Sequence, residues 1–365
     1  MNVWGNRLKL SIFGESHGPA IGIVIDGLPS GEAMDEAMTA REMARRAPGK
    51  SDLSTARNEP DEVKVLSGIH GGKTTGAPIC AVICNTDARP RDYDAKLRPG
   101  HADWTALIKF GGYADLRGGG HFSGRLTAPL VYAGSLAKQV LSRRGVEICA
   151  KIASIGRISD ASGMPCALPG KQPAKESAET FLAALANDFP ASRQSAEAMK
   201  EEIRAARKQG DSVGGIVEGV IYGLRGGIGE PFFGSLESSA ASLLFAVPAV
   251  KGVEFGRGFG LAAMRGSDAN DAIYAENGVI ASRTNNNGGI LGGIANGMPV
   301  LTRVAFKPTP SIALPQESVD TESHTGTTLR LSGRHDPCVV PRAVPVVEAC
   351  LALCALDGLL QAAGI

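Results

Sequence analysis

Glycine fills 47 of the 365 positions, roughly twice the usual ~7 % share, and this narrows what the chain can fold into more than any other feature. Glycine enters backbone conformations that other residues avoid and lets one backbone approach another closely. Much of such a chain has to turn tightly, or press its backbone against something bound. Between the glycines, Leu8–Phe13 and Gly22–Asp26 read as strands, short, β-branched and bounded by glycine and proline. Glu62–Leu66, Pro78–Ile83, Ser212–Leu224 and Leu301–Phe306 read the same way. Helical periodicity marks Asp35–Arg46, which stops before Pro48-Gly49, and Ala128–Arg144. Glu176–Ala186, Ser195–Gln209 and Ala240–Val247 are further helices, and Pro341–Ala363 closes the chain as an apolar one. The Ser, Gly and Pro-rich stretch 160–172 reads as a surface loop. Strands and helices come in clusters rather than in strict alternation, so the expected fold class is α+β.

The formal net charge of +1 argues against nucleic acid or a membrane surface as the main partner. No uninterrupted apolar run approaches the roughly 20 residues that a membrane helix needs. The first nine residues lack the basic-then-apolar pattern of a secretory signal, which makes the cytoplasm the expected compartment. Seven scattered cysteines, an odd number, fit reduced thiols there. Cys350 and Cys354, and Cys80 and Cys84, lack the partners that metal ligation requires, so no metal is expected and burial as small hydrophobes is.

Three histidine turns carry the chemistry: Phe13–Gly18 with His17, Arg98–Asp103 with His101, and Gly333–Cys338 with His335 beside Asp336. Histidine titrates near neutral pH, so two histidines and a carboxylate can supply acid and base. Arg45 and Arg46 end the first helix, Arg45 fitting a solvated surface position, and Arg98, Arg117, Arg125 and Arg334 lie in or beside glycine-rich turns. A guanidinium matches carboxylate or phosphate with two parallel hydrogen bonds, and several converging ones imply a polyanion. Lys307–Ser311 adds a rigid turn suited to phosphate. Gly68–Thr74 approaches a phosphate-binding P-loop, but Ser67 stands where the leading glycine belongs and a strand-like run follows instead of a helix. No dinucleotide fingerprint follows a strand.

In order and spacing, these segments, together with Arg117–Gly120, Thr284–Gly293 and Gly333–Pro345, resemble those of the chorismate synthase family over nearly the whole chain. The resemblance implies a single-domain β-α-β sandwich over residues 1–365, assembled as a homotetramer. It implies elimination of phosphate and a ring hydrogen from 5-enolpyruvylshikimate 3-phosphate to give chorismate, with reduced flavin mononucleotide (FMN) required although the reaction is redox-neutral. His17 would then assist the departing phosphate as an acid, His101 would govern protonation beside the flavin, and Asp336 would help a flavin nitrogen act as base. Ser16, Arg46, Arg98, Arg125 and Arg334 would hold substrate. The flavin would lie against His121, Phe122 and Ser123, then Ala249 and Gly292, then Lys307, Pro308, Thr309, Pro310 and Ser311, with Arg334 nearby.

Two positions depart from the family pattern. His121-Phe122-Ser123-Gly124-Arg125-Leu126-Thr127 stands where most members read Arg-Ser-Ser-Ala-Arg-Glu-Thr, and Asp52 where a basic residue is common. The second weakens any nicotinamide (NADP) contact. Nothing in the chain looks inserted, unlike members that reduce their own flavin, so an external flavin reductase is the expected source of reduced FMN. The alternative reading is a non-catalytic flavin- or anion-binding paralogue that uses the same pocket without turnover.

Overall fold

The structure, a computed structural model, describes residues 2–49, 53, 59–86, 96–160, 162, 174–276, 278–331 and 336–363. Two five-stranded antiparallel sheets dominate it. In the first, Val3–Trp4, Lys9–Gly14, Ala20–Asp26, Ile79–Cys84 and Lys64–Ser67 lie side by side in that order. Its register sets Ile21 opposite Ile83, Ile23 opposite Ala81 and Ile25 opposite Ile79, all buried, so one face of the sheet is a wall of cross-strand apolar pairs. In the second sheet the order is Val250–Phe255, Val300–Phe306, Gly215–Tyr222, Glu147–Ile155, Ile158–Ser159. Along Val300–Phe306, buried and half-buried residues alternate strictly, the period-two signature of a strand with one covered face.

Helices fill the space between the sheets. The central helix, Thr127–Ser142, is buried at every position from Thr127 to Leu141, as a helix apolar all round must be. It meets the Ala20–Asp26 strand on one side and the closing helix, Val340–Ala363, on the other. The closing helix lies on the Gly215–Tyr222 and Glu147–Ile155 strands. Glu36–Arg46 joins this layer; Asp35 caps it by accepting a 3.0 Å hydrogen bond from the Met38 N–H. One continuous apolar core runs from Leu8 to Leu356 through both sheets and the helices between them. The α+β expectation and its sandwich arrangement hold.

The two buried helices cross at Gly134, where a Cβ would overlap the Ala349 backbone and side chain. Gly134→Ala is therefore expected to destabilise the fold by about 1–3 kcal/mol, the usual cost of overpacking. Urea unfolding checks it; an unchanged midpoint would mean that the helices move apart freely.

Several sequence expectations need correction. Val340–Ala362 is long and apolar enough, by length and composition, to cross a membrane, with mean hydropathy 1.9. Yet 83 % of its most apolar window is buried inside the protein, so here it serves as a core helix. Cys84 is exposed and Cys80 half-buried, because they face outward from the first sheet; Cys149, Cys338, Cys350 and Cys354 are buried. Cys166 lies outside the described residues. Gly68–Thr74 forms a two-stranded hairpin, Ile69–His70 with Lys73–Thr74, and the strand Ile79–Cys84 follows, which removes the P-loop reading. The strand Glu147–Ile155, the strand Val250–Phe255 and the helix Asp103–Phe110 had no counterpart in the sequence reading.

Candidate active site

A cavity of about 880 Å³ opens where the ends of both sheets meet the N-terminus of the central helix. That volume lies toward the upper end of the range for small-molecule sites. Arg46 comes from the end of the first helix, and Arg125 from the 3-10 turn that leads into the central helix. Both are buried, and both bind Asp61: Arg46 Nη1 donates to Asp61 Oδ2 at 2.7 Å, and Arg125 Nη1 to Oδ1. Arg125 Nε also pairs with Glu59 at 2.8 Å. Burial would raise the Asp61 carboxyl, but the charges of Arg46 and Arg125 and their hydrogen bonds hold it below the usual range. Burial lowers the Arg46 guanidinium to about 10, with Asp61 opposing and Arg342 and Arg125 adding, so it remains a cation at neutral pH. Asp61 sits at φ 52°, left-handed backbone that a non-glycine residue seldom adopts without a structural reason.

Arg342 reaches the same cavity from the closing helix, donating to Asp336 Oδ2 at 2.6 Å and to the Arg46 carbonyl at 3.1 Å. Lys307 and Lys251 line it from the second sheet. Burial and the neighbouring Lys251 charge both lower the Lys307 ammonium, and Lys307 Nζ donates to the Gly100 carbonyl. Thr309 Oγ1 is buried with no hydrogen-bond partner among the described residues, although its residue lines the cavity. Ala249, another lining residue, is held at φ 74° and accepts a 2.9 Å hydrogen bond from the Lys307 N–H.

His101 lines the cavity with its Nδ1 2.6 Å from Asp103 Oδ1. Arg98 brackets the same carboxylate through Nε at 2.7 Å and Nη2 at 2.8 Å. Burial would raise Asp103, but hydrogen bonds from His101 and Arg98, then the arginine charge, hold it well below the carboxylate range. His121 has Nδ1 2.9 Å from the Gly14 carbonyl and Nε2 3.1 Å from Asn2 Oδ1. Phe122 lies 6.4 Å from Phe110, ring centre to ring centre.

Of the residues singled out from the sequence, His101, Asp336, Arg46, Arg98 and Arg125 converge on this cavity, as do His121, Phe122, Ser123 and Ala249. Lys307, Thr309, Pro310 and Ser311 line it as well, while Pro308 is exposed and is not among the lining residues. Ser16 and His17 stand just behind Gly118, a lining residue at φ 61° whose missing Cβ makes room for the His17 ring. Gly292 sits exposed at the turn of the Ile290–Ala295 hairpin, outside the cavity. Arg334 and His335, like Asp52, lie outside the described residues.

Sequence reasoning passed over Glu59, Asp61, Lys251 and Arg342. Glu59-Pro60-Asp61 flags two carboxylates around a proline, but nothing local shows that arginines will meet them. Arg45, read as a surface arginine, instead pairs with buried Glu348 at 2.5 Å, a correction owed to the closing helix that packs over it. The described residues bring no cluster of His, Cys, Asp or Glu suited to a metal ion. Taken together, the cavity presents several buried cations and a carboxylate-bound histidine, a combination fitted to binding a polyanion and moving a proton on it.

The family model described as Chorismate synthase matches residues 8–360. A chorismate synthase of Thermococcus kodakarensis (strain ATCC BAA-918 / JCM 12380 / KOD1) is 46 % identical over 360 residues, covering 98 % of this chain and 97 % of its own. One from Thermococcus gammatolerans (strain DSM 15229 / JCM 11827 / EJ3) is 49 % identical over 361 residues, with 98 % and 97 % covered. Among solved structures, one titled "Crystal Structure of Chorismate Synthase" superposes with a TM-score of 0.72 at 28 % identity, covering 99 % of this chain and 94 % of that one.

Proposed function

From the premise that this chain belongs to the chorismate synthase family, we propose that the cavity between Arg46, Arg125 and His101 is its active site. The chain is a lyase of that family: it eliminates phosphate and a ring hydrogen, in the anti-1,4 sense, from 5-enolpyruvylshikimate 3-phosphate to give chorismate. The observation that carries the placement is the convergence of Arg46, Arg125 and Arg342 on one cavity, since the substrate bears a phosphate and two carboxylates. Arg125 and Arg46, fixed by Asp61, offer preorganised donors that need no reordering when an anion arrives. Ser16, Arg98 and Arg334 are proposed to complete the substrate contacts.

Reduced FMN is the proposed cofactor, and the residues present suit it. Thr309 Oγ1 is a buried polar atom lacking a partner among the described residues, and Lys307 and Lys251 line the same cavity as two cations suited to a phosphate. His121, Phe122, Ser123, Ala249 and Lys307–Ser311 would hold the group, with Arg334. Gly292, outside this cavity, fits that role only through a second copy in the proposed homotetramer. The chemistry such a flavin would supply is transient electron density as phosphate leaves and an acceptor for the ring hydrogen. Around it, His17 is proposed to give a proton to the departing phosphate oxygen. His101 would hold or release a proton at the flavin's edge, and Asp336, oriented by Arg342 at 2.6 Å, would support the base. A cytoplasmic enzyme of one domain over residues 1–365, fed by an external flavin reductase, completes the proposal. No feature of the cavity favours the binding-only alternative.

Mixing the protein anaerobically with 5-enolpyruvylshikimate 3-phosphate and reduced FMN is expected to yield chorismate absorbance and stoichiometric phosphate, with none from oxidised FMN. Absence of product with reduced FMN, substrate being bound, would overturn the reading.

A further inference from the structure

We propose that Asp103 is the positioning residue of His101: its carboxylate fixes the ring proton on Nδ1 and leaves Nε2 as the nitrogen that exchanges protons inside the cavity. The proposal deepens the reading above and rests on it, since it assumes that His101 moves a proton during the elimination.

The geometry starts with a turn that brings residues 98, 101 and 103 to one point. Asp103 opens the Asp103–Phe110 helix and is 4 % exposed, so its charge is shielded from water and answered locally. Its Oδ2 accepts from the Arg98 backbone N–H at 3.2 Å and from Arg98 Nε at 2.7 Å. Oδ1 accepts from Arg98 Nη2 at 2.8 Å and lies 2.6 Å from His101 Nδ1. Two lone pairs cannot sit at that separation, so a proton lies between them. Asp103 stays ionised, because hydrogen bonds from His101 and Arg98 outweigh its burial, and the proton therefore belongs to Nδ1. Arg98 Nη2 also stands 3.1 Å from Nδ1 and can only donate to it, but the 2.6 Å contact with the ionised Oδ1 is the shorter and stronger of the two and sets the tautomer.

The second nitrogen looks the other way. Nε2 is 3.1 Å from the point where a Cβ on Gly119 would lie, so the glycine keeps a side chain from being pressed against that nitrogen. Lys307 also reaches this turn, its ammonium donating to the Gly100 carbonyl. A histidine whose tautomer is fixed by a buried carboxylate presents one nitrogen only, and the identity of that nitrogen decides whether it can act.

The substitution Asp103→Asn tests this with a predictable reversal. Oδ2 receives two donors from Arg98, so the asparagine keeps its carbonyl there and turns its NH2 toward His101 Nδ1. Nδ1 must then accept, and the proton moves to Nε2. Nitrogen-15 NMR of the histidine-labelled, ligand-free protein, at a pH where the ring is neutral, reads the tautomer directly. The wild type is expected to show His101 with a protonated Nδ1 and a bare Nε2, and D103N the opposite. In the same variant kcat is expected to fall about 100-fold or more, with KM for 5-enolpyruvylshikimate 3-phosphate within about threefold. Asp103→Glu, which keeps a carboxylate, is expected to retain the wild-type tautomer and more turnover than D103N. A wild-type ring protonated on Nε2 would overturn the proposal, and so would a D103N ring that keeps its tautomer while turnover collapses. Normal turnover by D103N after the reversal would overturn it too. Failure of the proposed active site itself shows differently, as absent turnover in the wild type with the tautomer unaffected.

Discussion

His101→Ala is expected to lower kcat by about 10²–10⁴-fold, the range lost when a positioned acid or base is removed, while KM for 5-enolpyruvylshikimate 3-phosphate changes little. The ring lines the cavity, while the cations that line it, Arg46, Arg98, Arg125, Arg342, Lys251 and Lys307, stay in place when it is removed. Substrate affinity should therefore survive. So should the fold, because Asp103 keeps its two contacts with the Arg98 guanidinium, at 2.7 and 2.8 Å, after the ring is gone. Removing the histidine thus leaves no buried charge alone, and the loss should appear in turnover rather than in stability. Single-turnover kinetics with reduced FMN, alongside substrate titration, separates the two. A kcat within threefold of wild type would remove His101 from the mechanism, whatever its place in the cavity.

Several of the elements legible in the sequence carry a local pattern of their own. Ile79–Cys84 and Val300–Phe306 alternate along their length, and the first helix announces its own cap and stop. Glu147–Ile155 was not legible because helices cover its second face as well: from Ile148 through Ile155 every residue is buried, and the alternation vanishes. Lys151 disguised it further, a charge in mid-strand whose Nζ is buried against Asp160 at 2.9 Å. The site divides along the same line. The histidine turns are local patterns, glycine and proline around an ionisable side chain, and could be found by reading. The Asp61 pairings join residues 15 and 64 positions apart, and no local pattern encodes which buried arginine a carboxylate will meet. The glycine excess belongs to both classes: it announced tight turns, but only the structure shows Gly118 yielding space to His17 and Gly134 letting two helices touch.

Glu348→Ala is expected to destabilise the protein by about 3–5 kcal/mol, the cost of breaking a buried ion pair from one side. Glu348 is 1 % exposed in the middle of the closing helix, within the layer between the sheets. It accepts from Arg45 at 2.5 and 2.8 Å, from Lys138 of the central helix, and from the Ala150 N–H at 3.0 Å. One carboxylate therefore ties two helices and a strand to the closing helix. Alanine would strand the Lys138 ammonium beside Arg45, with Glu42 left as their carboxylate partner. Burial would raise the Glu348 carboxyl, but the charges of Arg45 and Lys138 outweigh it and bring it down to about 2 from an ordinary 4.5. A carboxyl lowered by folding adds stability that is present above its unfolded value and is lost as pH falls toward the folded one. Wild-type stability in urea should thus decline between about pH 4.5 and pH 2 by more than that of Glu348→Gln, which has no proton to take up there. If the two declined in parallel, the acid sensitivity would lie in other carboxylates. Asp61, likewise lowered by two arginines that line the cavity, would be the next to replace.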